Sequence, residues 1–121
     1  MTMTLKTRKV DGIVVMDMSG RLSTGEPTLL LRETTRKFME DGNKKFLLNL
    51  HDVSFIDSSG LGEMIATYTR VRREGGDIKL LHLTKTAKDL LQMTKLLTVF
   101  DTFEDETGAL KSFDKQAAQG A

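Results

Sequence analysis

The sequence predicts a single-domain α/β protein built on a mixed sheet of four or five strands with helices packed on it. Strand-like and helix-like hydrophobic periods alternate along the chain. An Asp11-Gly12 pair joins the first two strand-like segments, and such pairs favour tight hairpins. No repeat, linker or low-complexity block divides the 121 residues, a length that suits one hydrophobic core. Helical crossovers between the later strands imply parallel pairing there. One domain is expected over 1–121, with its core at about 4–113 and a flexible tail over 114–121.

The elements follow in order. Thr2 to Val10 alternates polar and apolar residues as a strand does, and Ile13 to Met18 is a β-branched, apolar second strand that Gly20 is expected to end. Ser23 or Thr24 can cap the next helix, and Pro27 fits its first turn, where a missing N–H is no loss. Leu30, Thr34 and Phe38, with Leu31 beside them, form its core face, and Asp41-Gly42-Asn43 stops it. Phe46 to Leu50 reads as a buried strand. Leu61, Met64, Ile65, Tyr68 and Val71 then fall on one helical stripe that Gly75-Gly76 closes. Ile78 to Leu83 is a further strand. Thr84 or Thr86 can cap a helix carrying Ala87, Leu90, Leu91 and Met93. Leu96 to Phe100 suggests a small last strand, and Glu104 to Phe113 an amphipathic helix.

Composition narrows the function classes. The 39% hydrophobic and 29% charged residues are those of an ordinary soluble domain. Eighteen basic side chains against 17 acidic ones leave a net charge of +1, which argues against a direct nucleic-acid binder. No apolar run approaches the roughly 18 residues of a membrane span, so no membrane insertion is expected. Residues Met1 to Val10 do not read as a secretory signal. A cytoplasmic location is the default expectation. The absence of cysteine excludes disulfides and thiolate metal sites.

The most informative stretch runs from Leu48 to Gly62: a strand, a loop, then a helix start furnished with Ser58, Ser59, Gly60 and Gly62. The first helical turn leaves backbone N–H groups unpartnered and carries roughly half a positive charge. A serine hydroxyl at the cap accepts from those groups, and a phosphoryl group on the same oxygen is received better still. Glycines at 60 and 62 allow a bulky partner or a nucleotide phosphate to approach the backbone.

The run L-N-L-H-D-V-S-F-I-D-S-S-G-L-G, Leu48 to Gly62, resembles the signature of the STAS domain, particularly that of bacterial anti-sigma-factor antagonists. Ser19-Gly20-Arg21-Leu22 is similar to the family's strand-end G-x-L motif, and Gly75-Gly76 and the segment Leu91 to Leu97 extend the likeness over nearly the whole chain. The resemblance implies a STAS fold and a partner-switching regulator that is not an enzyme and needs no cofactor. The unphosphorylated form would bind an anti-sigma factor, itself a serine kinase of the histidine-kinase-like ATPase type, and so release the sigma factor. That kinase would phosphorylate Ser58, the serine after Asp57, and a serine phosphatase would reverse it. Asp57, Ser59, Gly60, Leu61 and Gly62 would form the supporting loop. The family's acidic residue after G-x-L is here Ser23, followed by Thr24. These two are candidate partner or nucleotide contacts, with helix capping as the simpler role. STAS domains also serve as soluble subunits of ABC-type lipid transport complexes or as nucleotide-sensing modules, and the D-S-S-G acceptor motif favours the antagonist over both.

Other chemistry finds little support. His51 and His82 lack ligand spacing, so no metal site is expected. Ser58, Asp57 and either histidine could be assembled into a triad on paper, but no G-x-S-x-G elbow is present. The methionines at 16, 18, 39, 64 and 93 are expected to fill the core. Arg70, Arg72 and Arg73 are expected on a solvated helix face.

Overall fold

A computed structural model of the chain describes residues 3–120, the side chains of 115–120 excepted. The order is β1 (Met3–Val10), β2 (Ile13–Leu22), α1 (Glu26–Glu40), β3 (Lys45–Ile56), α2 (Ser58–Arg73), β4 (Asp77–Leu81), α3 (Lys85–Met93), β5 (Thr102–Phe103) and α4 (Glu106–Gly120). The strands form one sheet in the order β1-β2-β3-β4-β5. β1 and β2 are antiparallel, and every later neighbour is parallel. The mixed α/β sheet expected from the sequence is present.

The hairpin forms because Asp11 and Gly12 both take positive φ, 54° and 81°, the backbone of a tight two-residue turn. Alternation along the strands then divides the core in two. Val14, Met16, Met18, Phe46, Leu48, Leu50, Ile78 and Leu80 face α1, α2 and α3, which contribute Leu31, Leu61, Met64, Val71, Ala87 and Leu91. Ile13, Val15, Leu47 and Leu81 face the other way, where Ala109 and Phe113 of α4 cover them. Lys79 is buried on this second side; its Nζ donates to Ser112 Oγ at 2.9 Å and lies 4.8 Å from the centre of the Phe113 ring.

Several boundaries differ from expectation. Gly20 does not end β2: it sits in the strand at φ 102°, beside a register irregularity, and pairing with β3 continues to Leu22↔Ile56. A glycine tolerates that backbone without leaving the sheet. Neither Ser23 nor Thr24 caps α1; Gly25 occupies the cap with no side-chain bond, while Pro27 stands in the first turn as expected. The buried face of α1 is Pro27, Leu31 and Thr35, one residue on from the stripe read through Thr34. β3 extends from Lys45 to Ile56, beyond Leu50, because β2 continues to pair with it. β4 stops at Leu81, where His82 turns the chain at φ 57°. Thr84 caps α3, its Oγ1 accepting from the Ala87 N–H at 3.2 Å. Leu96 to Phe100 is a turn; the last strand is Thr102–Phe103. Met93 is 82% exposed and fills no core. The last helix starts at Glu106 and runs past Phe113 to Gly120. The start of the first strand at Thr2 lies outside the described residues, as does Ala121 at the end of the tail expected over 114–121, whose backbone to Gly120 is helical.

Candidate functional site

β2 and β3 end side by side, and the loops that follow them meet. Leu22 and Ile56 are the last pair, and the Asp57 N–H donates to the Leu22 carbonyl at 3.3 Å. Asp57, in extended backbone, is the N-cap of α2: its Oδ1 accepts from the Gly60 N–H at 2.9 Å, and its carbonyl accepts from the Leu61 N–H at 2.9 Å. The cap expected of Ser58 therefore belongs to Asp57, and Ser58 is the first helical residue. A carboxylate suits that place because it meets both the free N–H groups and the positive end of the helix dipole.

The two serines differ. Both are exposed. Ser59 Oγ accepts from Thr24 Oγ1 at 2.7 Å, which ties the loop after β2 to the first turn of α2. Ser58 Oγ has no side-chain partner among the described residues. The Thr24 N–H also points at Asp57 Oδ2, at 3.4 Å. Ser23 is half-buried beside Thr24.

The glycines differ too. A Cβ at Gly60 would run into the Leu22 carbonyl, so this glycine lets α2 start against the end of β2. A Cβ at Gly62 would meet nothing within 4 Å. Between them, Leu61 is 7% exposed and plugs the helix start into the core.

One turn further, a buried carboxylate that sequence periodicity had not flagged fixes α2 to α1. The Glu63 side chain is 4% exposed and accepts from Arg32 at 2.8 Å, Arg70 at 2.9 Å and Thr67 Oγ1 at 2.9 Å. Burial works to raise the Glu63 carboxyl, but the hydrogen bonds from Arg32, Arg70 and Thr67 outweigh it and hold the group below the ordinary glutamate value. Arg70 is thus engaged. Arg72, which lies 3.4 Å from Asp77, and Arg73 are exposed as expected. The one local signal for Glu63 is its place beside the apolar stripe, with Thr67 and Arg70 at helical spacing on its own helix; the second arginine, Arg32, comes from α1.

The two histidines, distant in sequence, come together with ring centres 5.6 Å apart. They line a cleft of about 410 Å³ with Thr84, Lys88, Phe103 and Glu104, and none of residues 57–62 borders it. No group of three or more acidic, histidine or cysteine side chains placed to hold a metal occurs among the described residues. The arrangement around Ser58 contains an exposed hydroxyl, a capping carboxylate and a positive helix end, with no histidine partner to that hydroxyl among the described residues. It can receive a phosphoryl group more readily than it can activate a nucleophile of its own.

Known proteins resemble this chain in sequence and in fold. A family model described as the STAS domain matches residues 4–109. The anti-sigma-B factor antagonist of Bacillus subtilis (strain 168) is 32% identical over 82 residues, which cover 68% of this chain and 74% of that protein. The crystal structure of an anti-sigma factor antagonist from Mycobacterium paratuberculosis superposes with a TM-score of 0.79 at 22% identity, over 92% of this chain and 93% of the other. The phosphorylated form of the Bacillus cell fate determinant SpoIIAA superposes with a TM-score of 0.71 at 20% identity, over 90% and 99% of the two chains.

Proposed function

The chain belongs to the STAS domain family, and from that premise we propose that it is an anti-sigma-factor antagonist that switches partners by phosphorylation of Ser58. The observation that carries the reading is the Ser58 hydroxyl: exposed, without a side-chain partner among the described residues, and first in a helix whose cap is the adjacent Asp57. The names of the relatives and the SpoIIAA structure in its phosphorylated form support it.

In its unphosphorylated state the loop end binds an anti-sigma factor that is also a serine kinase of the histidine-kinase-like ATPase type. Phosphorylation forms a bond from Ser58 Oγ to the γ-phosphorus of ATP as the bond from that phosphorus to the β,γ-bridging oxygen breaks. ADP leaves, and the hydroxyl proton passes to a base on the kinase. A serine phosphatase returns the hydroxyl by hydrolysis. The new group carries about −1.5 to −2 charges at pH 7. At the positive end of α2 the fold accommodates it. A partner surface packed against a small neutral hydroxyl does not, because a buried, unmatched charge costs several kcal/mol. The binding surface closes while the domain stays as it was. No helix among the described residues is long and apolar enough to cross a membrane, and the cytoplasm, where such kinases draw on ATP, is the proposed location.

The test is to identify the protein bound by the unphosphorylated chain in extracts of its own cells, then to map the phosphate added when ATP is supplied. A histidine-kinase-like ATPase as partner and phosphate on Ser58 are expected. A membrane permease as the bound protein, or phosphate confined to Ser23 or Thr24, overturns the proposal.

A further inference from the structure

Two adjacent hydroxyls stand at the start of α2, yet the geometry treats them unequally. Consecutive helical residues point about 100° apart. Ser59 is turned toward the loop after β2, where Thr24 Oγ1 donates to its Oγ at 2.7 Å. Ser58 has no such partner among the described residues. Thr24 itself belongs to neither helix nor strand, and α1 begins at Glu26 after a Gly25 cap that makes no side-chain bond. Its hydroxyl is therefore not used to cap α1.

We infer that Thr24 is the residue that biases phosphorylation toward one of the two serines: its hydroxyl holds Ser59 against the neighbouring loop and leaves Ser58 the readier acceptor. The inference rests on the acceptor reading above and adds its specificity determinant. For Ser59 to attack a γ-phosphorus, its Oγ must turn out of the bond with Thr24 and form a new bond to phosphorus. ATP is cleaved at the β,γ-bridging oxygen, and the serine proton leaves to the kinase base. Each such turn first breaks a hydrogen bond of 2.7 Å, and a bond of ordinary net strength disfavours the turned-out state by roughly fivefold. Thr24 touches no reacting atom. It is a positioning residue.

The experiment uses the full chain with ATP and an extract of the cells that make it, followed by mapping of the phosphorylated residue. Wild type is expected to carry phosphate predominantly on Ser58, and Ser58→Ala to label on Ser59 only slowly. Thr24→Val keeps the shape and removes the donor, so the double variant Thr24→Val, Ser58→Ala is expected to label on Ser59 roughly fivefold faster than Ser58→Ala. Thr24→Ser restores the donor, so Thr24→Ser, Ser58→Ala is expected to return to the slow rate, which a merely structural role for residue 24 does not predict. A Thr24→Val, Ser58→Ala variant that labels no faster than Ser58→Ala, while wild type labels, overturns the inference. If wild type itself takes no label, the acceptor reading fails instead. The Ser59 rotamer, read by NMR from its Hα–Hβ couplings, then decides the role of Thr24: one rotamer is expected in wild type and rotamer averaging in Thr24→Val, and an unchanged coupling pattern overturns the inference on its own.

Discussion

The carbonyl oxygen of Leu22 stands where a side chain on residue 60 would begin. This contact sets how closely α2 approaches the end of β2, and it places Asp57, Ser58 and Ser59 at the rim of the sheet. Gly60→Ala must push the two loops apart and is expected to destabilise the domain by about 3 kcal/mol. Gly62→Ala meets open space. It is expected to raise stability by up to about 1 kcal/mol, since glycine is the poorer helix former. Thermal melts of the two variants should move in opposite directions. Loss of partner binding by the stable Gly62→Ala variant would show that the bare backbone there serves docking.

Asp57→Ala removes the cap of α2 and is expected to cost about 1 kcal/mol, while Asp57→Asn recovers most of it. Denaturant midpoints at constant slope provide the measurement.

Ser58→Asp and authentic phosphoserine at position 58 should leave the melting temperature within a few degrees of wild type, because the helix end favours the charge. Partner affinity should fall by about a hundredfold or more. Undiminished binding by the phosphorylated chain, or amide shifts spread across the sheet, would count against a local blockade.

Glu63 makes stability depend on pH in a definite direction. Its folded pKa is depressed by Arg32, Arg70 and Thr67, so the unfolded chain binds its proton first as pH falls. The stabilisation is fully present above the unfolded value of about 4.3 and is lost as pH drops below it through the folded value. Glu63→Gln should cost about 2 kcal/mol at pH 7 and flatten the acid limb of the stability curve. A limb of unchanged steepness would place the acid sensitivity elsewhere, with the Arg8–Asp17–Glu106 cluster as the next suspect.

Much of this architecture was legible where a local rule had no competitor. Asp11-Gly12, Pro27, the apolar run at Phe46 and the helical stripe from Leu61 each formed the element their chemistry favours. The loop around Ser58 was found by the density of cap residues and glycines at one helix start. The errors lie where partners distant in sequence decide. Gly20 resembles a strand end, but β3 pairs on beyond it. Thr24 resembles a cap, but its hydroxyl finds Ser59, 35 residues away. Thr102 and Phe103 form a strand too short to show a period of its own. Glu63 and Thr67 are buried in a helix whose apolar stripe omits them, because their burial depends on arginines from two helices. Met93 obeys the periodicity of α3 but lies in its last turn, past the edge of the core.

The division of the sheet into two faces has a consequence for how the protein is made. Three helices cover one face and are interleaved with the strands, so each arrives as its strands do. The other face waits for a single helix that follows all five strands. Until Ala109 and Phe113 emerge from the ribosome, Ile13, Val15, Leu47 and Leu81 have no cover. A nascent chain stalled before Glu106, or a fragment cut there, presents an apolar sheet surface to the crowded cell and becomes a substrate for chaperones or a seed for aggregates. The cover of that second face thus depends, during synthesis, on a helix that follows every strand of the sheet.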